Sequence, residues 1–151
     1  MERAARMLHE AGAPDSYVNG GGDIRLGGAA APGLPHGIGI TGPVRRGRLL
    51  TVVSGRDFAV ATSGTGERGA HILDPRSGVP ARGLLSVTVV GPSLTWAGTY
   101  ATAAIAMGER AKDWIASVDG YELLIADHDA MVWSSDGFAR WCEPAGGGPR
   151  P

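Results

Sequence analysis

The chain has 151 residues, 43% of them hydrophobic, which is enough for one domain with a buried core. Fourteen Lys and Arg stand against fifteen Asp and Glu, a net charge of −1, so no global field draws in nucleic acid or an anionic membrane. A single cysteine, Cys142, excludes an internal disulfide, and no apolar run approaches the roughly 20 residues needed to span a bilayer.

In chain order, residues 2–11 read as a short helix closed by Gly12. No charged–apolar–small export pattern opens the sequence, so the compartment is left open. A chain that begins inside a helix reads as a truncated or split product. Ser16–Asn19 and Ile24–Leu26 are short strands folded back at Gly20–Asp23. His36–Thr41 alternates Gly and Ile and reads as a tightly packed strand. Gly42–Gly47 is a turn beside a small basic cluster of Arg45, Arg46 and Arg48. Leu49–Ser54 and Phe58–Ser63 are two further strands, with a connection near Gly55–Asp57.

Leu84–Val90 is strongly β-branched and is stopped by Gly91-Pro92. The spacing predicts a helix from a Ser93 or Thr95 cap to Met107, rich in small residues that let it lie close on a sheet, and ended by Gly108. Glu109–Ser117 reads as a second helix with Trp114 and Ile115 toward the core, and Tyr121–Asp127 with Ala130–Ser134 as a terminal hairpin. Residues 1–143 form the domain and 144–151 a flexible tail. The order of hairpins, helices and a last hairpin predicts a single-domain α+β fold, with a mostly antiparallel sheet and helices on one face.

The chemistry concentrates in Ala59–Gly78, where small hydroxyls, a Gly-rich turn and one imidazole occur within twenty positions. His71 could take a proton from an attacking hydroxyl, or be a half-buried ring bonded to a backbone carbonyl. Asp74 before Pro75 reads as turn chemistry, and Arg76 as a phosphate contact or a solvated turn residue. Asn19-Gly20-Gly21-Gly22-Asp23 could present amides to an anion, with Asp23 orienting a sugar hydroxyl, a cation or an arginine. It could equally be a plain hairpin turn in which Asp23 bonds its own backbone. Gly98 and Thr102 lie one helical turn apart on one face, where a carboxylate and a hydroxyl would suit a hard cation; the glycine offers no side chain, and Thr102 could simply bond back to a carbonyl. His9, His36 and His128 show no metal-ligand spacing, and Cys142 reads as a partly buried thiol.

Taken together, Asn19–Arg25, His36–Ile40 with Pro43, Ala59–Gly64, His71–Gly78 and Tyr100–Ala103 ending at Gly108 resemble the FAD:protein FMN transferases, the ApbE family, over roughly residues 2–134. The resemblance implies transfer of FMN from FAD to a Ser or Thr hydroxyl of a target protein through a phosphodiester bond, with AMP released and magnesium bridging the FAD pyrophosphate. It implies His71 as the base, Ile72 as a position lining the FAD, and Thr102 as a metal ligand; Asp23, from the Gly-rich turn, is the second expected cofactor-binding residue. The family's second helix ligand is an aspartate one turn earlier, where this chain has Gly98. The family's chains are about twice as long, so this one resembles a C-terminal portion. Members often work outside the cytoplasm or at membranes. Two other activities follow from the same resemblance: a non-catalytic flavin-nucleotide-binding relative, or a magnesium-dependent FAD pyrophosphatase.

Overall fold

In the computed structural model, residues 1–44, 47–65, 69, 71–129 and 131–142 are described. Arg45, Arg46, part of the Gly64–Gly69 turn, Ala130 and the expected tail lie outside them.

The chain opens with α1, Glu2–Glu10. It ends in a Schellman motif, Gly12 N donating to His9 O (3.0 Å) and Ala13 N to Leu8 O (2.9 Å), which satisfies the last carbonyls. β1 (Ser16–Gly20) and β2 (Asp23–Gly27) pair antiparallel, with Gly20 opposite Asp23. That leaves a two-residue loop, Gly21-Gly22, at φ of 72° and 99°, backbone that residues with a Cβ rarely adopt. Asn19 Oδ1 accepts from Gly22 N at 3.0 Å. The side chain that ties the turn is therefore Asn19, not Asp23.

β3 (His36–Thr41) and β4 (Leu49–Gly55) form a separate two-stranded sheet, with a register shift at Ile40/Thr41. β5 (Ala59–Gly64), β6 (Leu84–Gly91), β7 (Glu122–Asp127) and β8 (Val132–Ser134) complete the main sheet in the order β1-β2-β5-β6-β7-β8, every pairing antiparallel. The expected α+β class with a mostly antiparallel sheet is the observed one.

Strand alternation sorts the core into two layers. Ala59, Ala61, Val87, Val89, Leu123 and Ile125 face α2 (Leu94–Met107) and bury Ala97, Ala101, Ala104 and Ile105 against it. Small residues on both sides permit this close approach. Tyr100 anchors the edge of the layer, stacked on Trp96 (5.6 Å) and edge-on to Tyr121 (4.9 Å) and Trp114 (5.5 Å). The opposite strand positions, Leu26, Val60, Val90 and Leu124, pack with Ile40, Val53, Phe58 and Phe138. Helices thus cover one face of the main sheet and the β3–β4 hairpin covers the other.

Two local expectations are corrected, and one further element appears. The second helix is broken: a 3-10 turn at Gly108–Arg110 leads into α3, only Ala111–Ile115. Neither Ser93 nor Thr95 caps α2 with its side chain; Glu2 of α1 does so, its Oε2 accepting from Leu94 N at 2.7 Å and Thr95 N at 3.4 Å. A 3-10 segment, Asp136–Trp141, also follows β8, burying Phe138 and setting Trp141 5.4 Å from Phe58.

Candidate functional site

A cavity of about 610 Å³ opens at the end of the sheet, within the range of roughly 300–1,000 Å³ usual for small-molecule sites. The β1–β2 turn forms one side with Gly20–Ile24, and β3 with its irregular end forms another with Ile38–Pro43. The ends of β5 and β6 form its back, and His71, Ile72 and Thr102 close it. A register shift at the rim of a site is a recurrent way to re-aim backbone and side chains. At Gly64 a Cβ would stand 2.5 Å from Leu85 O, so only glycine lets β5 run this close to β6 at the cavity wall.

The expected residues converge here: Asp23, His71, Ile72 and Thr102 all line this one cavity. His71 is exposed, and its Nδ1 lies 3.0 Å from Gly69 O. Donation from Nδ1 to that carbonyl leaves Nε2 with its lone pair, the tautomer a base requires. The ring therefore bonds a carbonyl, as one expectation had it, but is not half-buried. Ile72 packs against the α2 core layer. Arg76 does not line this cavity; it borders a smaller hollow with Arg110, Met107 and Trp114. Asp74 organises the turn: its carboxylate accepts from Arg76 N (2.9 Å) and Ser77 Oγ (3.1 Å), and these bonds hold its carboxyl below the ordinary range.

Asp23 is half-buried at the start of β2. Its Oδ1 accepts from Thr62 N of β5 at 3.2 Å. Desolvation raises its carboxyl above the ordinary range, opposed by the Thr62 amide. Thr62 and Ser63 point to opposite faces of β5: Thr62 Oγ1 meets Thr88 Oγ1 at 2.8 Å, whereas Ser63 Oγ meets Thr102 Oγ1 at 3.1 Å. Thr102 Oγ1 also donates to Gly98 O at 3.0 Å, the ordinary helix-threonine bond. The Ser63 contact was not anticipated individually, although the hydroxyl-rich end of β5 signalled it.

A carboxylate and two hydroxyls are hard oxygen donors of the type magnesium takes, so the donor set suits such an ion. Among the described residues, no group of three or more His, Cys, Asp or Glu gathers anywhere. Of the other histidines, His36 is buried with Nε2 3.0 Å from Gly27 O, and His9 and His128 are exposed.

The site thus defines a small-molecule cavity lined by an exposed imidazole and by carboxylate and hydroxyl oxygen donors. The profile of the ApbE family matches residues 1–125, and the chain belongs to that family. It is 32% identical over 147 residues to the FAD:protein FMN transferase of Vibrio cholerae, an alignment covering 91% of this chain and 42% of the relative. Among solved structures it resembles the ApbE protein of Thermotoga maritima (31% identity, TM-score 0.79, 95% of this chain and 50% of that one). It likewise resembles the flavin transferase ApbE of Vibrio cholerae (31%, 0.78, 92% and 48%). The chain therefore spans about half the length of the relatives it matches.

Proposed function

We propose that this chain transfers FMN from FAD to a Ser or Thr hydroxyl of a target protein, with magnesium as the assisting ion. What supports the reading most is the convergence of His71, Ile72, Asp23 and Thr102 on one cavity, in a chain that belongs to the ApbE family.

In this reading the acceptor hydroxyl gives its proton to His71 Nε2 as its oxygen attacks the FMN-side phosphorus of the FAD pyrophosphate. The new bond joins that oxygen to phosphorus. The bond to the bridging oxygen breaks, and AMP leaves with the electron pair. The Gly69 carbonyl keeps the His71 ring in the basic tautomer and stabilises the imidazolium that forms. Ile72 offers the flavin an apolar wall, and Asp23, Ser63 and Thr102 offer oxygen donors. Magnesium, when bound, supplies neutralisation of the charge that develops on the phosphoryl oxygens.

Incubation of the chain with FAD, magnesium and an acceptor protein tests this. A flavin-fluorescent acceptor band on a denaturing gel, with AMP in equal amount, is expected. His71→Ala should lower labelling by roughly 10²–10⁴-fold, the usual size of a general-base contribution. Unchanged labelling by that variant removes His71 from the role. Free FMN and AMP without a labelled acceptor would identify a pyrophosphatase instead. One observation favours a second reading, a flavin-nucleotide-binding relative that does not catalyse: helix α2 carries no carboxylate at Gly98.

A further inference from the structure

Leu94, Gly98 and Thr102 lie one turn apart along α2, and each stands against a polar group of another element. At the first step the Leu94 amide meets Glu2, which also pairs with Arg25 Nε at 3.1 Å. At the third step Thr102 meets Ser63. The middle step is Gly98, and the group opposite is Asp23: a Cβ on residue 98 would stand 3.8 Å from Asp23 Oδ2 and 4.0 Å from Ala61 Cβ. Both are ordinary contact distances, so position 98 has room for a side chain, and the carboxylate of β2 is what it would touch.

Asp23 is held by one oxygen only. Oδ1 takes the Thr62 amide, while Oδ2, the oxygen turned to α2, has no hydrogen-bond partner among the described residues. Arg25, two residues on and so on the same face of β2, is committed to Glu2 and to the carbonyls of Phe58 and Leu26. No salt bridge to Asp23 occurs among the described residues. A half-buried carboxylate with one oxygen unpartnered, lining the same cavity as the Ser63 and Thr102 hydroxyls, is arranged to meet a cation from outside the chain.

We propose that Asp23 supplies, across from β2, the charged cation ligand that α2 lacks at Gly98, and that a divalent cation is held by Asp23 Oδ2 together with the Thr102 and Ser63 hydroxyls. The cation's use in phosphoryl transfer rests on the function proposed above; its binding does not. Asp23 and a residue-98 carboxylate would be interchangeable in charge, because they reach the same space from opposite sides. Side by side without a cation they would repel.

The test is a manganese titration of the 151-residue chain, with and without FAD, read by the electron-spin signal of free manganese and repeated with magnesium by calorimetry. One site per chain is expected. Asp23→Asn, which keeps an acceptor for the Thr62 amide, should weaken binding at least tenfold, and Thr102→Val should weaken it less. The double variant Asp23→Asn with Gly98→Asp should recover most of the affinity. Gly98→Asp alone should melt lower than the native chain without metal and gain more from added manganese. Native affinity in Asp23→Asn, or no manganese uptake by the native chain with or without FAD, overturns the proposal. Cation binding without flavin transfer would leave this proposal standing and overturn the transferase reading.

Discussion

Asp23 couples its protonation to folding with a definite sign. Burial raises its carboxyl in the folded chain, so the folded state binds that proton more tightly than the unfolded state does. The associated stability is fully present below the unfolded value of 3.8 and is lost as pH rises through the raised folded value. In metal-free buffer, Asp23→Asn should therefore melt higher than the native chain at pH 7, with the difference shrinking as pH falls through the carboxylate range. A variant that melts lower at pH 7 would mean that the charged carboxylate is already stabilised without a cation. Asp74 has the opposite sign. The amide of Arg76 lowers its carboxyl, so its contribution is present above the unfolded value and fades as pH falls through the lowered one.

At the scale of elements, α1 and α2 are coupled through one side chain. Glu2 receives the Leu94 and Thr95 amides at the N-terminus of α2, where the helix dipole favours an anion, and it pairs with Arg25 of β2. Glu2→Ala should cost roughly 1–2 kcal/mol, the scale of a lost N-cap with its dipole interaction. Chemical denaturation measures it, and an unchanged midpoint would show that Ser93 takes over the cap. Phe138 closes the second core layer under the β3–β4 hairpin, fully packed with Phe58 and Val53. Phe138→Ala should cost roughly 3–5 kcal/mol. A loss below 1 kcal/mol would mean that the 3-10 segment is peripheral to the hairpin's packing.

Strands and α2 were legible in the sequence because their signals are local: β-branched alternation, Gly-Gly turns, and a small-residue helix ended by Gly108. What escaped was non-local. Glu2 caps a helix ninety-two residues away, and no spacing rule connects the two. The 3-10 turn at Gly108–Arg110 takes the start of the expected Glu109–Ser117 helix and leaves α3 only Ala111–Ile115, a difference that the apolar period does not resolve. At the cavity, His71, Ile72 and Thr102 were singled out through the resemblance and Asp23 through its Gly-rich turn, and all four line it. The Ser63–Thr102 contact and the approach of Asp23 to Gly98 arise only when β2, β5 and α2 are assembled.

Across the whole molecule, three layers converge on one end: helix, main sheet and hairpin each contribute a wall to the same cavity. No helix among the described residues is long and apolar enough to cross a membrane. The family's relatives carry about as much chain again, so whether this chain holds the nucleotide by itself is the question on which its chemistry depends. Calorimetric titration of the chain with FAD, in the presence and absence of magnesium, addresses that directly. One FAD bound per chain, tighter with magnesium than without and weakened by Asp23→Asn, is the expected result. No uptake of FAD under either condition would contradict a flavin-nucleotide site in this cavity.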